Sequence, residues 1–215
     1  MTSTTLQRYI ADSYSLTPIS VGEFAKLKVN GMKFTIRAYH VEGLGHVSIM
    51  SAKGFFGLMK MDTLIIVPTE RDLPLYSYDR IQAMSNDTLI VELYDTLTQP
   101  LDLSLMSHIK AKFRHLEERD PGVHWYDSIK LPESISKKGK KAQKDDLEAL
   151  AAEHFSAYLH APAKKVVDIA KKKELSKEYV EGLLREGGPS TDVFKKALGE
   201  EKTAKLFREI LFGIA

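Results

Sequence analysis

The chain has 215 residues, with 31 lysines and arginines against 29 aspartates and glutamates and a formal net charge of +2, so charge argues for neither a nucleic-acid nor a membrane partner. It contains no cysteine, which excludes disulfides, thiolate metal sites, cysteine-held iron–sulfur clusters and a cysteine nucleophile. With 43% hydrophobic and 28% charged residues, no apolar run of the roughly 18 residues a membrane span needs and no signal-peptide core, it reads as one soluble, cytoplasmic domain over residues 1–215.

In chain order, Leu6–Ala11 suggests a short helix that Pro18 ends. Glu23–Val29, Lys33–Val41 and His46–Met50 alternate in the strand sense. They are separated by Asn30-Gly31 and by Glu42-Gly43-Leu44-Gly45, so a meander of antiparallel hairpins is expected. Met61–Val67 and Asp87–Tyr94 read as two further core strands. Between them Asp72-Leu-Pro-Leu-Tyr-Ser-Tyr-Asp79 reads as a stiff, irregular crossing that delivers Asp79 to the rim of the sheet.

After Pro100 the period lengthens to about 3.6 residues. Leu103, Met106, Ile109, Phe113 and Leu116 trace one helical stripe, and Leu147, Leu150, Ala151, Phe155 and Tyr158 a second. A third begins near Tyr179 and stops at Gly187-Gly188-Pro189; the last opens at Ser190 as N-cap, with a break at Gly199. Ser134–Asp146 is too lysine-rich to bury and is expected as a loop, and Lys164, Lys165 and Lys171–Lys173 as a solvated helix face. Strands first and helices later make an α+β fold, here a three-layer α/β/α sandwich with a central antiparallel sheet.

Leu73-Pro74-Leu75-Tyr76-Ser77-Tyr78-Asp79 resembles the Leu-Pro-(Leu/Ile)-Phe-Gly-x-Asp segment of the ferredoxin-dependent bilin reductases. Phe194–Glu201 and Phe207–Phe212 resemble that family's terminal Phe-Gly-Glu and Val-Leu-Phe-Asp pattern. The two matches have the family's order and spacing and cover about a third of the chain. A divergent member, related also to the red chlorophyll catabolite reductases, is what the resemblance implies. Its implied activity is reduction of a linear tetrapyrrole such as biliverdin by a radical mechanism. No cofactor is bound, electrons come from reduced ferredoxin or a similar acidic carrier, and side chains supply the protons.

On that resemblance Asp79 is the proton donor. The family's paired His and Glu are replaced, by Asp62 at the His position and by Ser48 when His46-Val47-Ser48 is matched to His-Leu-Glu. Asp62 and Asp79 facing one pocket would repel, raising one pKa. Arg37, in a stretch similar to the family's Asn-Arg-Cys-Tyr, is the expected partner of a substrate carboxylate. Lys130 lies beside the family's Arg-x-Leu-Pro, whose Arg position is Ile129, and Thr88 stands where the family often has a hydroxyl. Trp125 is expected in the core, and His108, His115, His124, His154 and His160 show no metal spacing. Three functions stay open: a reductase, a protein that holds a tetrapyrrole in the same pocket without reducing it, and an interaction module acting through its lysine clusters.

Overall fold

The computed structural model describes residues 1–215. Strands β1 (Leu16–Ile19), β2 (Lys26–Val29), β3 (Met32–Val41), β4 (Gly45–Gly54), β5 (Met59–Pro68), β6 (Leu75–Ala83), β7 (Asn86–Tyr94), β8 (Glu117–Glu118) and β9 (Ile135–Lys140) form one antiparallel sheet. Its order is β1-β3-β4-β5-β6-β7-β9-β8, with β2 also paired to β3. Asn30 and Gly31, both at positive φ, make the two-residue turn that sets Val29 opposite Met32.

Helices cover both faces. Residues Leu6 and Ile10 of α1 (Ser3–Ala11), Met106 of α2 (Ser104–Lys112) and Leu147, Phe155 and Tyr158 of α3 (Lys144–Leu159) pack on the face carrying Val47, Leu64, Tyr78 and Val91. The other face carries Ile36, Met50 and Ile65. It is covered by Tyr179 and Leu183 of α4 (Ile169–Glu186), Phe194 of α5 (Pro189–Leu198), and α6 (Glu200–Lys205) with the π-helical turn Leu206–Leu211 that continues it. The α+β sandwich expected from the period change is therefore the fold.

Several elements depart from the sequence expectation. Residues 22–25 form a 3₁₀ turn ahead of β2 where the alternation predicts strand, β1 is not foreseen by the pattern, and α2 ends at Lys112, short of Phe113 and Leu116. The supposed crossing is strand β6, central between β5 and β7, so Asp79 lies mid-strand and not at a rim. Ser134–Asp146 is not a loop: it holds β9 and the start of α3. Lys137 is buried there because its ammonium donates to the Leu116 carbonyl at 3.0 Å and pairs with Glu118. Helix α4 starts ten residues before Tyr179, and Lys172 within it is fully buried. Its ammonium donates to Asp72 (3.0 Å) and to the carbonyls of Leu73 (2.5 Å) and Thr96 (2.8 Å). Last, α5 is capped by Gly188, with Pro189 at its first turn and Ser190 already inside.

Candidate active-site cleft

Alternation along the central strands sends Thr63 of β5, Ser77 and Asp79 of β6, and Ile90 and Glu92 of β7 to one face, where they floor a cleft. Tyr179, Phe194, Phe207 and Phe212 from the C-terminal helices roof it. Two staples fix that roof. His46 Nε2 bonds the Ile210 carbonyl and Ser48 Oγ donates to the Leu211 carbonyl, each at 2.8 Å. Gly213, at positive φ, lets the chain pass so close over His46 that a Cβ would stand 2.4 Å from the ring nitrogen. The cleft encloses about 210 Å³.

Asp79 is directly opposite Thr63 in the β5–β6 register and accepts a hydrogen bond from its hydroxyl on Oδ1. Asp79 is half-buried, its side chain lining the cleft. Burial pushes its pKa up to about 6; the Thr63 bond opposes this and the nearby Glu92 charge adds to it. Glu92 in turn accepts from the Tyr94 hydroxyl at 2.6 Å, and the Tyr94 ring lies 4.1 Å from that of Tyr179. Burial raises the pKa of both phenols, so they remain hydrogen-bond donors at neutral pH.

Beside the cleft lies a polar bay of about 600 Å³ holding Lys110, Arg119 and Lys130; Glu92, Arg119 and Pro121 line both spaces. Ser136 fixes the Arg119 backbone, accepting its N–H and donating to its carbonyl, while the Arg119 guanidinium has no ion-pair partner. Lys130 is held by Asp127 at 2.5 Å and stands 3.9 Å from Glu92. His124 also lines the cleft, its ring stacked on Tyr126 at 4.8 Å and its buried Nδ1 without a partner. No group of three or more His, Asp or Glu is arranged to hold a metal ion.

The structure separates several residues that sequence reasoning put together. Asp62 is one residue out of phase with Thr63, so it faces the opposite side of the sheet from Asp79, where it accepts from the Ser3 backbone N–H at 3.0 Å. The two carboxylates do not share a pocket. Arg37 shares that far face, opposite Ile49, and is exposed to solvent there. Both corrections follow from strand parity. His46 and Ser48 are on the cleft side but are spent on the roof's carbonyls, and Thr88 is on the cleft face, one pair beyond Ile90. Trp125 is outside the cleft, partly exposed, with its ring so close to Gly182 that any Cβ there would be 2.2 Å away.

Glu92, Arg119 and His124 are the cleft residues that the sequence did not reveal. Glu92 was legible in principle, since Thr88, Ile90 and Glu92 alternate onto Asp79's face once β6 is a strand. Arg119 and His124 sit on irregular backbone, where no periodicity marks a side chain's direction.

No protein-family model and no curated protein sequence matches this chain. Among solved structures, phytochromobilin synthase from tomato, determined in complex with biliverdin, matches with a TM-score of 0.77 over 99% of this chain and 83% of that one, at 14% sequence identity. The fold is that of phytochromobilin synthase. At this identity the likeness to phytochromobilin synthase establishes the architecture, and what the cleft does has to be argued from its own residues. No helix is long and apolar enough to cross a membrane.

Proposed function

We propose that this chain is a divergent member of the bilin reductase superfamily that binds an open-chain tetrapyrrole between the sheet and the C-terminal helices and reduces it, Asp79 supplying protons. The observation that carries this reading is a carboxyl raised to about 6 on the floor of an aromatic-roofed cleft, in a fold shared with a biliverdin-bound protein. A general acid works best when its pKa lies near the operating pH, and ordinary aspartate is too acidic. Thr63 occupies Oδ1, leaving Oδ2 with no protein partner and open to a bound ligand.

Adding hydrogen across one tetrapyrrole double bond takes two electrons and two protons. Two molecules of a reduced one-electron iron–sulfur carrier, ferredoxin or similar, each give up one electron. Asp79 gives a proton at each stage and is reloaded from solvent. The aromatic roof excludes bulk water and offers π-faces to the pyrrole rings. The cleft alone is smaller than the roughly 300–1,000 Å³ of typical ligand sites, and the adjoining bay supplies the remaining room. Carboxylate side arms then reach Arg119, whose planar guanidinium suits bidentate binding, with Lys130 beside it.

A second reading is a tetrapyrrole-binding protein without turnover. It is favoured by Ser48 and His46, which hold the roof in place of handling protons, and by Asp62, which faces away from the cleft. An absorbance titration with biliverdin followed by anaerobic turnover with reduced ferredoxin separates the two. A spectral shift followed by loss of the bilin absorbance is expected. A shift with no turnover leaves the binding protein, and no shift removes both.

A further inference from the structure

Four lysines stand directly opposite one another across four adjacent strands: Lys28 faces Lys33, Lys33 faces Lys53, and Lys53 faces Lys60. All four are exposed. Like charges directly across a sheet are destabilising, and at about 4.8 Å per strand the row spans roughly 14 Å. None of the four makes an ion pair. The acids nearby are engaged or turned elsewhere. Asp62 accepts from the Ser3 backbone, Asp87 is clamped by both nitrogens of the Arg80 fork, and Glu148 is shared between Lys144 and the Met1 amine. Asp145 is exposed in the first turn of α3.

The row ends at a protruding apolar tip. The β4–β5 turn carries Phe55, Phe56 and Leu58, the β6–β7 turn carries Met84, and the Met84 N–H donates to the Leu58 carbonyl at 3.0 Å, so the two turns form one unit. Phe56 is 108% exposed and Met84 85%. Phe55, Phe56 and Met84 all have positive φ, a region that bulky residues enter only under strain. A strained turn that holds large apolar side chains out in water is an exposed apolar patch of the kind that marks an interaction site. Around the corner, Lys141 and Lys144 line a groove of about 310 Å³ with Lys60. Lysines of the strand row and of the start of α3 therefore border the tip together, on the face of the sheet that α1 and α3 cover.

We propose that this end of the sheet docks on an anionic lipid bilayer, with Phe55, Phe56, Leu58 and Met84 entering the headgroup boundary and the lysines meeting lipid phosphates. A protein partner is disfavoured because protein interfaces deplete lysine and seat their aromatic anchors in recesses, whereas this tip stands proud at the edge of a basic face, the pattern of interfacial anchoring. The absence of an apolar helix excludes a spanning helix and has no bearing on such docking.

The test is flotation of the full chain with vesicles of phosphatidylcholine alone and of phosphatidylcholine with phosphatidylserine. Binding to the mixed vesicles only, weakening with salt, is expected. Lys33→Gln/Lys53→Gln/Lys60→Gln should weaken it by about 100-fold at roughly a kilocalorie per lysine, while melting no lower than the parent because the repulsive row is relieved. Phe55→Ser/Phe56→Ser should weaken it by at least tenfold and remain folded, since both side chains are exposed. Absence of binding to the mixed vesicles, or binding unchanged in both variants, overturns the proposal. So does retention on immobilised polyglutamate without vesicle binding, which would reassign the surface to an acidic protein.

Discussion

Thr63 and Asp79 face each other across the β5–β6 ladder, and the threonine hydroxyl donates to the aspartate at 2.5 Å. The bond favours the ionised carboxylate, while burial and the Glu92 charge disfavour it, and the balance holds the pKa at about 6. Thr63→Val keeps the shape and removes the donor. Losing about 1 kcal/mol from the ionised form raises the pKa by about 0.7 unit. The alkaline limb of the turnover–pH profile should move up by that amount; an unmoved limb would mean that Asp79 does not set it.

Asp79→Asn keeps the hydrogen bonding and cannot deliver a proton. Turnover should fall by 10²-fold or more, with biliverdin affinity retained and a one-electron-reduced radical accumulating under anaerobic reduction. The same variant should be more stable above pH 6. A raised aspartate pKa makes the stability contribution largest below the ordinary value of 3.8 and removes it as pH rises through about 6. The gain is on the order of 1–2 kcal/mol once water in the cleft screens the charge. Urea unfolding at pH 5 and pH 8 measures it, and equal differences at both pH values would contradict the assignment.

Arg119 and Arg37 make opposite predictions. Arg119→Gln should weaken binding of a carboxylate-bearing tetrapyrrole by about tenfold or more, since a charge-assisted hydrogen bond contributes roughly 1.5–3 kcal/mol. Arg37→Ala, on the far face of the sheet, should leave it unchanged. A bilin dimethyl ester should bind the parent and Arg119→Gln equally. If Arg37→Ala is the variant that loses affinity, the bay is not the carboxylate site.

What the sequence showed well was whatever has a period. The hairpin at Asn30-Gly31, the alternation of β3, the Leu103–Ile109 half of the α2 stripe and the α3 stripe all reappear, because each follows from local geometry. Strand β6 escaped because Pro74, Ser77 and Asp79 disguise a strand whose far face is Tyr76, Tyr78 and Arg80. Missing it hid the parity that separates Asp62 from Asp79. Lys137 and Lys172 read as solvent-facing since burial of a lysine depends on distant acceptors, Glu118 and Leu116 for one and Asp72 for the other. The lysine row is invisible in the sequence, its members lying 5, 20 and 7 residues apart and meeting only through strand pairing.

Acid should destabilise the fold through His154. It is buried on α3, with Nε2 on the Glu133 carbonyl at 3.0 Å, and burial lowers its pKa from 6.5 to about 4. Between those values the unfolded chain takes up a proton that the folded chain refuses. Stability is therefore full above pH 6.5 and falls as pH drops toward 4, by about 3 kcal/mol at most. His46, lowered in the same direction by burial, steepens the fall. His154→Gln keeps a donor for Glu133 and should flatten this limb; the same slope in the variant would rule His154 out.

Lys172 ties helix α4 to the segment leading into β6, and its loss should be felt in the cleft. Its ammonium is buried against Asp72, whose carboxylate also accepts from the Thr98 N–H and hydroxyl. Lys172→Met removes one charge and leaves Asp72 and the Leu73 and Thr96 carbonyls without that partner. Breaking a buried pair costs about 3–5 kcal/mol, which in a chain of this size lowers the melting temperature by roughly 6–20 °C. Asp72→Asn/Lys172→Met should recover part of the loss, because the orphaned charge is gone. Ser176, Tyr179 and Leu183 follow Lys172 along the buried side of α4, so a loosened helix should also weaken tetrapyrrole binding at temperatures where the variant is still folded. A loss below about 1 kcal/mol would show that the pair contributes no more than a surface contact, and normal binding in a destabilised variant would show that α4 keeps its place over the cleft without it.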